Sequence, residues 1–330
     1  MDGYIGWPLS CRLADESYEV WGADNLWRRN MVDSITPIND RKHGKNLDVK
    51  DFFRLAQLFE YFKPDAIIHL AEQPSAAWSM ASLDQCIQTH RNNIEGTLTI
   101  LYAMKEFAPD AHLIKLGSMG EYGTPDFPIK EHPDFPKKPG SWYHCTKVHD
   151  THNIQFACKN WGLNVTDIMQ GVVYGVEAYG YATRLDIDEC FGTVINRFCA
   201  AAAMDIRLPL YGTGNQVRSF LPLEDSIQCI GLIIDNPPEG YRVVNQFDQC
   251  YSINQLFEII NSLEDVDSIY EFNPRHEEGH FYAPEASILK SLGYEPKGDI
   301  KAVLKQLIRI CRFYKDKIDL KHFYPEINWK

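Results

Sequence analysis

No two cysteines in this sequence stand in a Cys-x-x-Cys spacing, and the nine present scatter through apolar segments such as "RFCAAAA" and "SIQCIGLII". Buried reduced thiols are a simpler reading of that pattern than a disulfide framework. No apolar run reaches the roughly 20 residues that a membrane-spanning helix requires. The first residues lack the charged start and apolar stretch of a signal peptide. The expectation is therefore a cytoplasmic chain. Positive charge is in short supply: 33 basic residues face 45 acidic ones, for a net charge of -12. An acidic surface opposes nonspecific binding to nucleic acid or anionic lipid. Any anionic ligand must be met by locally placed Arg or Lys. Internal repeats and low-complexity tracts are also missing.

What is present suits a packed globular chain. Of 330 residues, 45% are hydrophobic and 12% aromatic, enough for one large domain or two lobes. Helix-period segments alternate with short apolar runs. "DVKDFFRLAQLFEYF" leads to "DAIIHLAE", "NNIEGTLTILYAMKEFA" to "AHLIKLGSM", and the long helix "YHCTKVHDTHNIQFACKNWG" to "NVTDIMQGVVYG". Such alternation predicts an α/β fold with a doubly wound parallel (Rossmann) sheet. After Gly175 the rhythm loosens. The expected division is a dinucleotide-binding domain of residues 1–174 and 213–248, and a smaller substrate lobe of residues 175–212 and 249–330.

Two constellations carry chemistry. The first is "DGYIGW" followed by "YEVWGADN". Glycines let a backbone approach a pyrophosphate, and a helix N-terminus offers free N–H groups. Gly3, Tyr4 and Gly6 form the expected turn. Asp24 ends the next strand and suits an adenosine ribose, which favours NAD, although Arg28 and Arg29 nearby leave NADP open. Asn25, Asp48, Val49 and Leu70 are assigned to the same cofactor site. An ordinary turn is the plain alternative. The second constellation is Tyr143-x-x-x-Lys147 at the start of a helix, with Ser118 at a preceding strand end. A spacing of four puts phenol and ammonium on one helix face. The cation favours phenolate, so Tyr143 can take a hydroxyl proton while hydride leaves the same carbon. A surface Tyr–Lys pair is the alternative. His149 and His152 lie three apart on this helix, but no carboxylate completes a metal site there, and no metal is expected.

These residues, with "AEQPSAAWSM", "KLGSMGEYGTP", "YHCTKVHDTHN", "TDIMQGVVYG" and "NPRHEEGHFY", resemble the extended short-chain dehydrogenase/reductase family, most specifically its UDP-sulfoquinovose synthase branch. The resemblance implies an enzyme that uses NAD to act on a UDP-hexose such as UDP-glucose. Tyr143, Lys147 and Ser118 would oxidise carbon 4. Loss of the carbon 5 proton and the carbon 6 hydroxyl would give an enone, with Glu121 placed to protonate the leaving hydroxyl. Sulfite would then add at carbon 6. Met119 and His144 would flank the site, His144 either shuttling a proton or packing. Arg218 and Arg275 would hold the diphosphate. Gln170 and Glu278 would contact the sugar nucleotide. The family tends to dimerise through helices, and the apolar face of "FGTVINRFCAAAAM" is a candidate for that role.

Three departures qualify the resemblance. Pro74 in "EQPSAAWSM" replaces an arginine, which bears on the sulfite step more than on oxidation. Ser118 replaces a threonine and keeps the hydroxyl. Two loops that frame the site are short. A UDP-sugar 4-epimerase or 5,6-dehydratase without sulfite addition therefore stays open, as does a catalytically impaired nucleotide-binding subunit. The related glycine pattern also follows a central strand. The reading expects that strand upstream of Met1, in a native start about ten residues earlier that ends in Gly.

Overall fold

The computed structural model describes residues 1–37, 44–177, 181, 183–264, 268–271 and 284–323. Its first half follows the alternation read from the sequence. Helix α1 (Gly6–Asp15) precedes β1 (Gly22–Asp24), α2 (Trp27–Met31), β2 (Gly44–Asn46), α3 (Phe52–Phe62) and β3 (Ala66–His69). Then come α4 (Ala76–Ala81), α5 (Leu83–His90), α6 (Gly96–Phe107), β4 (His112–Leu116), α7 (Trp142–Trp161) and β5 (Asn164–Gln170). Local chemistry sets the helix ends. Asp51 caps α3 by accepting from Arg54 N at 3.2 Å. Ser141 caps α7 by accepting from His144 N at 3.2 Å, and Gly162 ends it with φ +71°. That conformation costs a glycine little.

Sequence period explains the layers. β3, β4, β5 and β9 (Tyr241–Gln246) form one parallel sheet in the order β3-β4-β5-β9. Successive residues of a strand face opposite sides. Leu113 and Val165 pack under α3, α6 and α7, while Ile114, Leu116 and Ile168 pack under α1 and α9 (Leu223–Ile234). Among the described residues β1 and β2 pair with each other in a separate two-stranded sheet. The Met1 ammonium donates to Ala23 O and to Asp24 Oδ2, each at 3.1 Å.

The run expected as one strand, "NVTDIMQGVVYG", is broken at Gly171. β5 stays in the main sheet, and β6 (Val172–Tyr174) joins β8 (Val217–Pro222) and β10 (Gln249–Ser252). Gly171 N donates to Gln246 O at 2.8 Å, and a Cβ there would lie 2.9 Å from Ser219 Oγ. A side chain there would crowd Ser219 and the Gln246 carbonyl, so glycine suits the point where the chain changes sheets.

The rest of the chain builds a second core. α8 (Val194–Ala203), α10 (Ile253–Glu264) and α12 (Ile300–Phe313) pack around residues such as Leu208, Phe220 and Leu304. β7 (Leu208–Tyr211) pairs with β11 (Ser268–Glu271), and α11 (Ser287–Ser291) returns to the first lobe. The expectation that "FGTVINRFCAAAAM" offers a dimer face does not hold. Ala200, Ala201 and Ala202 of α8 are fully buried inside this core.

Candidate active site

Gly117 and Ser118 follow β4, and the chain turns at once through a short 3-10 segment, Met119–Glu121. The turn is a capping box. Ser118 Oγ accepts from Gly120 N at 3.1 Å, and Glu121 Oε1 accepts from Ser118 N at 2.9 Å. Opposite it, the first turn of α7 carries Tyr143, with Lys147 one turn later. Lys147 Nζ lies 5.6 Å from the Tyr143 ring centroid, and Ser118 lines the same cavity as both. The spacing of four thus brings all three groups to one point.

A second layer holds this point in place. A π-helical segment, Arg91–Glu95, joins α5 to α6 and turns Asn93 into the interior. Asn93 Oδ1 accepts from Gln73 N at 2.8 Å, and Asn93 Nδ2 donates to Thr146 Oγ1 at 2.9 Å. The loop after β3 is thereby tied to α7. From that loop Glu72 pairs with Lys147, whose ammonium also donates to Leu116 O. Glu72 and His69 both face the cavity, and neither belongs to the site expected from the sequence. His69 ends β3 and Glu72 follows it closely, a position that signals a ligand site in such sheets.

The electrostatics follow from burial. Tyr143 is held above the ordinary tyrosine range by desolvation and then by the Glu121 carboxylate, with Lys115 and Ser118 opposing. Burial also lowers Lys147 against the pull of Asp150 and Asp167. His144 falls to about 4, through burial and then the charge of Arg218, so it is neutral near pH 7. His69 falls to about 3, by burial and then the charges of Lys147 and Lys115.

A cavity of about 1040 Å³ runs from Met1 and Gly3 to this cluster. A drug-sized ligand takes roughly 300–1000 Å³, so the space suits more than one such molecule. Five arginines line it, Arg28, Arg29, Arg184, Arg197 and Arg218, in a chain whose net charge is negative. Gly3, Tyr4, Gly6, Asp24, Asn25, Val49 and Leu70 line its far end. A Cβ on Gly3 would meet nothing within 4 Å, so that turn faces open space. An open glycine at a helix N-terminus, with an acid ending the next strand, fits a dinucleotide. Asp24 accepts from Asp2 N at 2.7 Å and Leu26 N at 2.8 Å. These bonds and the N-terminal charge outweigh burial and hold its carboxyl low.

The remaining expected residues divide between the cavity and protein partners. Tyr4 OH donates to Gly175 O, which points it toward the second core. Asp48 does not line the cavity; it accepts from Lys50 N at 3.0 Å and from Asn25 Nδ2 at 3.3 Å. Arg28 is engaged by Asp186 and lies 4.5 Å over the Phe191 ring. Arg29 makes a two-pronged contact with Asp2. Met119, His144, Gln170 and Arg218 line the cavity, and Gln170 Nε2 donates to Gln246 Oε1 at 2.8 Å. Pro74 lines it as well. His149 and His152 are exposed. Arg275 and Glu278 lie outside the described residues.

Glu121 stands apart from the residues that line the cavity. It is fully buried, does not line the cavity, and has both oxygens committed to protein partners. The capping box rotates its side chain toward the sheet. Its carboxylate is met by Lys115 and Lys137.

A Ser–Tyr–Lys cluster beside a dinucleotide turn, at the strand ends of a parallel sheet, defines an oxidoreductase-type nucleotide site. The sequence profile of the NAD dependent epimerase/dehydratase family matches residues 1–245, and the chain belongs to that family. It is 38% identical to the chloroplastic UDP-sulfoquinovose synthase of Spinacia oleracea, over 100% of this chain and 78% of the relative. It is also 38% identical to the UDP-sulfoquinovose synthase of Sulfolobus acidocaldarius, over 100% of this chain and 96% of the relative. Its fold is shared with the UDP-glucuronic acid 4-epimerase of Bacillus cereus, solved with UDP-glucuronic acid and NAD. There the TM-score is 0.76 and the identity 21%, over 94% of this chain and 97% of that one. NAD is thus the cofactor of the family and of this reading. No helix among the described residues is long and apolar enough to cross a membrane.

Proposed function

We propose that this protein is a UDP-sulfoquinovose synthase-like enzyme that oxidises a UDP-hexose, such as UDP-glucose, at carbon 4. The observation that carries the reading is the meeting of Ser118, Tyr143 and Lys147 in a cavity lined by arginines. Full-length identity to two synthases favours this branch over a plain epimerase. NAD, when bound, supplies the hydride acceptor. Gly3, Gly6 and Asp24 would hold it at one end, and Lys147 at the other. Tyr143 Oη takes the proton of the carbon 4 hydroxyl, which the Ser118 hydroxyl orients. Lys147 stabilises the phenolate once Glu72 no longer satisfies its charge alone. Arg218 neutralises the diphosphate, for which a guanidinium is well shaped. The ketone at carbon 4 acidifies the carbon 5 proton, which leaves together with the carbon 6 hydroxyl as water. Sulfite then adds at carbon 6. Return of the hydride to carbon 4, and of the Tyr143 proton to its oxygen, restores the alcohol there. Neutral His144 lines the same wall and is the candidate for moving the carbon 5 proton.

The test is incubation with UDP-glucose, with and without sulfite, read by mass. A UDP-sugar of higher mass and charge that forms only with sulfite supports the synthase. Identical products in both tubes favour the second reading, an epimerase or 5,6-dehydratase, which Pro74 at the cavity wall motivates. We further propose a homodimer through α5, α6 and α7, where Leu83, Ile87, Tyr102, Trp142 and Phe156 are exposed. Light scattering at a monomer mass would overturn it.

A further inference from the structure

Behind the Ser118 turn lies a cluster of buried charges that the proposed chemistry does not use. Lys115, in the middle of β4, is fully buried, with Nζ 3.3 Å from Asp167 Oδ1 and 3.8 Å from Glu121 Oε1. Lys137 Nζ reaches in from the loop before α7, 2.6 Å from Glu121 Oε2 and 2.9 Å from Thr151 Oγ1. Thr151 Oγ1 in turn donates to Asp167 Oδ2 at 2.6 Å, and Tyr241 OH donates to the same oxygen at 3.2 Å. Two ammonium groups thus face two carboxylates. The backbone repeats the link: Lys138 N donates to Glu121 O at 2.9 Å, and Lys138 lines the cavity.

Each part of this arrangement bears on the reacting groups. Glu121 Oε1 fixes the backbone of Ser118, and through it the hydroxyl that meets the phenol. Buried charges act strongly at short range because little water screens them. Glu121 opposes ionisation of Tyr143, and Lys115 favours it. On its own helix Tyr143 also faces Lys147, which Glu72 pairs, and His144, which is neutral. The balance among Glu121, Lys115 and Lys137 is therefore felt at the phenol oxygen.

We propose that Glu121 is a positioning residue and not a proton donor. With Lys137 as its counter-charge, it sets the place of the Ser118 hydroxyl and the electric field at Tyr143. The inference rests on Tyr143 being the base, and its test is chosen so that the two can fail separately. The ionisation of Tyr143 can be followed without substrate by ¹³Cζ-tyrosine NMR titration, with Tyr143→Phe assigning the resonance. Glu121→Gln keeps an oxygen for Ser118 N–H but removes the negative charge, so Tyr143 should ionise earlier than in the wild type, by on the order of one pH unit. Lys137→Met removes the positive charge and should delay ionisation. The double variant E121Q/K137M restores neutrality and should fall between them; it also serves if Lys137→Met alone fails to fold. In turnover, the acid limb of the pH–rate profile should move the same way, and Glu121→Gln should still form the elimination product within about tenfold of the wild-type rate. If Glu121→Gln reduces the bound cofactor but stops before elimination, Glu121 is the acid and the proposal is wrong. An unmoved Tyr143 titration in all three variants also overturns it. A wild type that never reduces its cofactor with any UDP-hexose, while the titrations shift as stated, overturns the proposed reaction and leaves the charge cluster standing.

Discussion

At the Tyr143 end of the cavity, β4 is buried at all five residues, whereas at the Gly3 end β2 is exposed at all three of its own. The charges differ in the same sense. Lys115, Glu121 and Asp167 are fully buried and pair with one another. Asp48 and Lys50 pair at 3.0 Å with roughly a third of each side chain exposed. Enclosed charges cannot exchange a partner for water without a large cost, and exposed ones can. One end thus encloses its charges beside the reacting groups, and the strand and ion pair that flank the other end stay open to water.

Changes at the two ends should differ in size and in kind. Tyr143→Phe should lower turnover by about 10²- to 10⁴-fold and leave UDP-glucose binding by calorimetry intact. A variant within tenfold of the wild type would remove Tyr143 from the chemistry. Lys115→Met leaves the buried Asp167 without its ammonium partner and should cost about 3–5 kcal/mol in denaturant unfolding. Lys50→Met, at the open end, should change stability by less than about 1 kcal/mol. Equal losses would erase the contrast between the ends. Asp24→Asn should weaken NAD binding on the order of tenfold, through loss of a charged acceptor, with little change in turnover at saturating NAD. A fall in turnover with NAD affinity unchanged would place Asp24 in the wrong role.

The last effect is absent near neutral pH and concerns His112, buried behind the sheet and held at about 4 by burial and then by the charge of Arg242. Its folded value lies below its unfolded value of about 6.5. Its contribution is therefore intact above about pH 6.5 and is lost as pH falls toward about 4, because only the unfolded chain takes up the proton. His112→Gln should remove that dependence, up to about 1.4 kcal/mol per pH unit, relative to the wild type. Parallel stability–pH curves for the two proteins would contradict the assignment.

Some of the site could be read from spacing alone. Tyr143 and Lys147 are four apart on a helix, and Ser118 ends a strand, so local geometry brings them to one edge. The alternation of helices and apolar runs likewise marked the parallel sheet. Other parts were hidden. Glu121 stands three residues from Ser118, but sequence distance does not say which way a tight turn sends its side chain. Arg28 reads as a free cation beside the glycine turn, yet Asp186, from a distant part of the chain, takes it up. The alanine-rich face of α8 reads as equally fit for a core or an interface until α12 is seen to cover it.

The sequence by itself determined the α/β rhythm, the glycine turn with its acid, and the Ser–Tyr–Lys spacing, because each depends on backbone periodicity over a few residues. The tertiary structure alone decided that Glu121 faces the sheet, that Lys137 and Lys115 balance it, and that Glu72 holds Lys147. Those outcomes depend on burial and on charges brought together from distant parts of the chain, and both exist only once the strands and helices have packed.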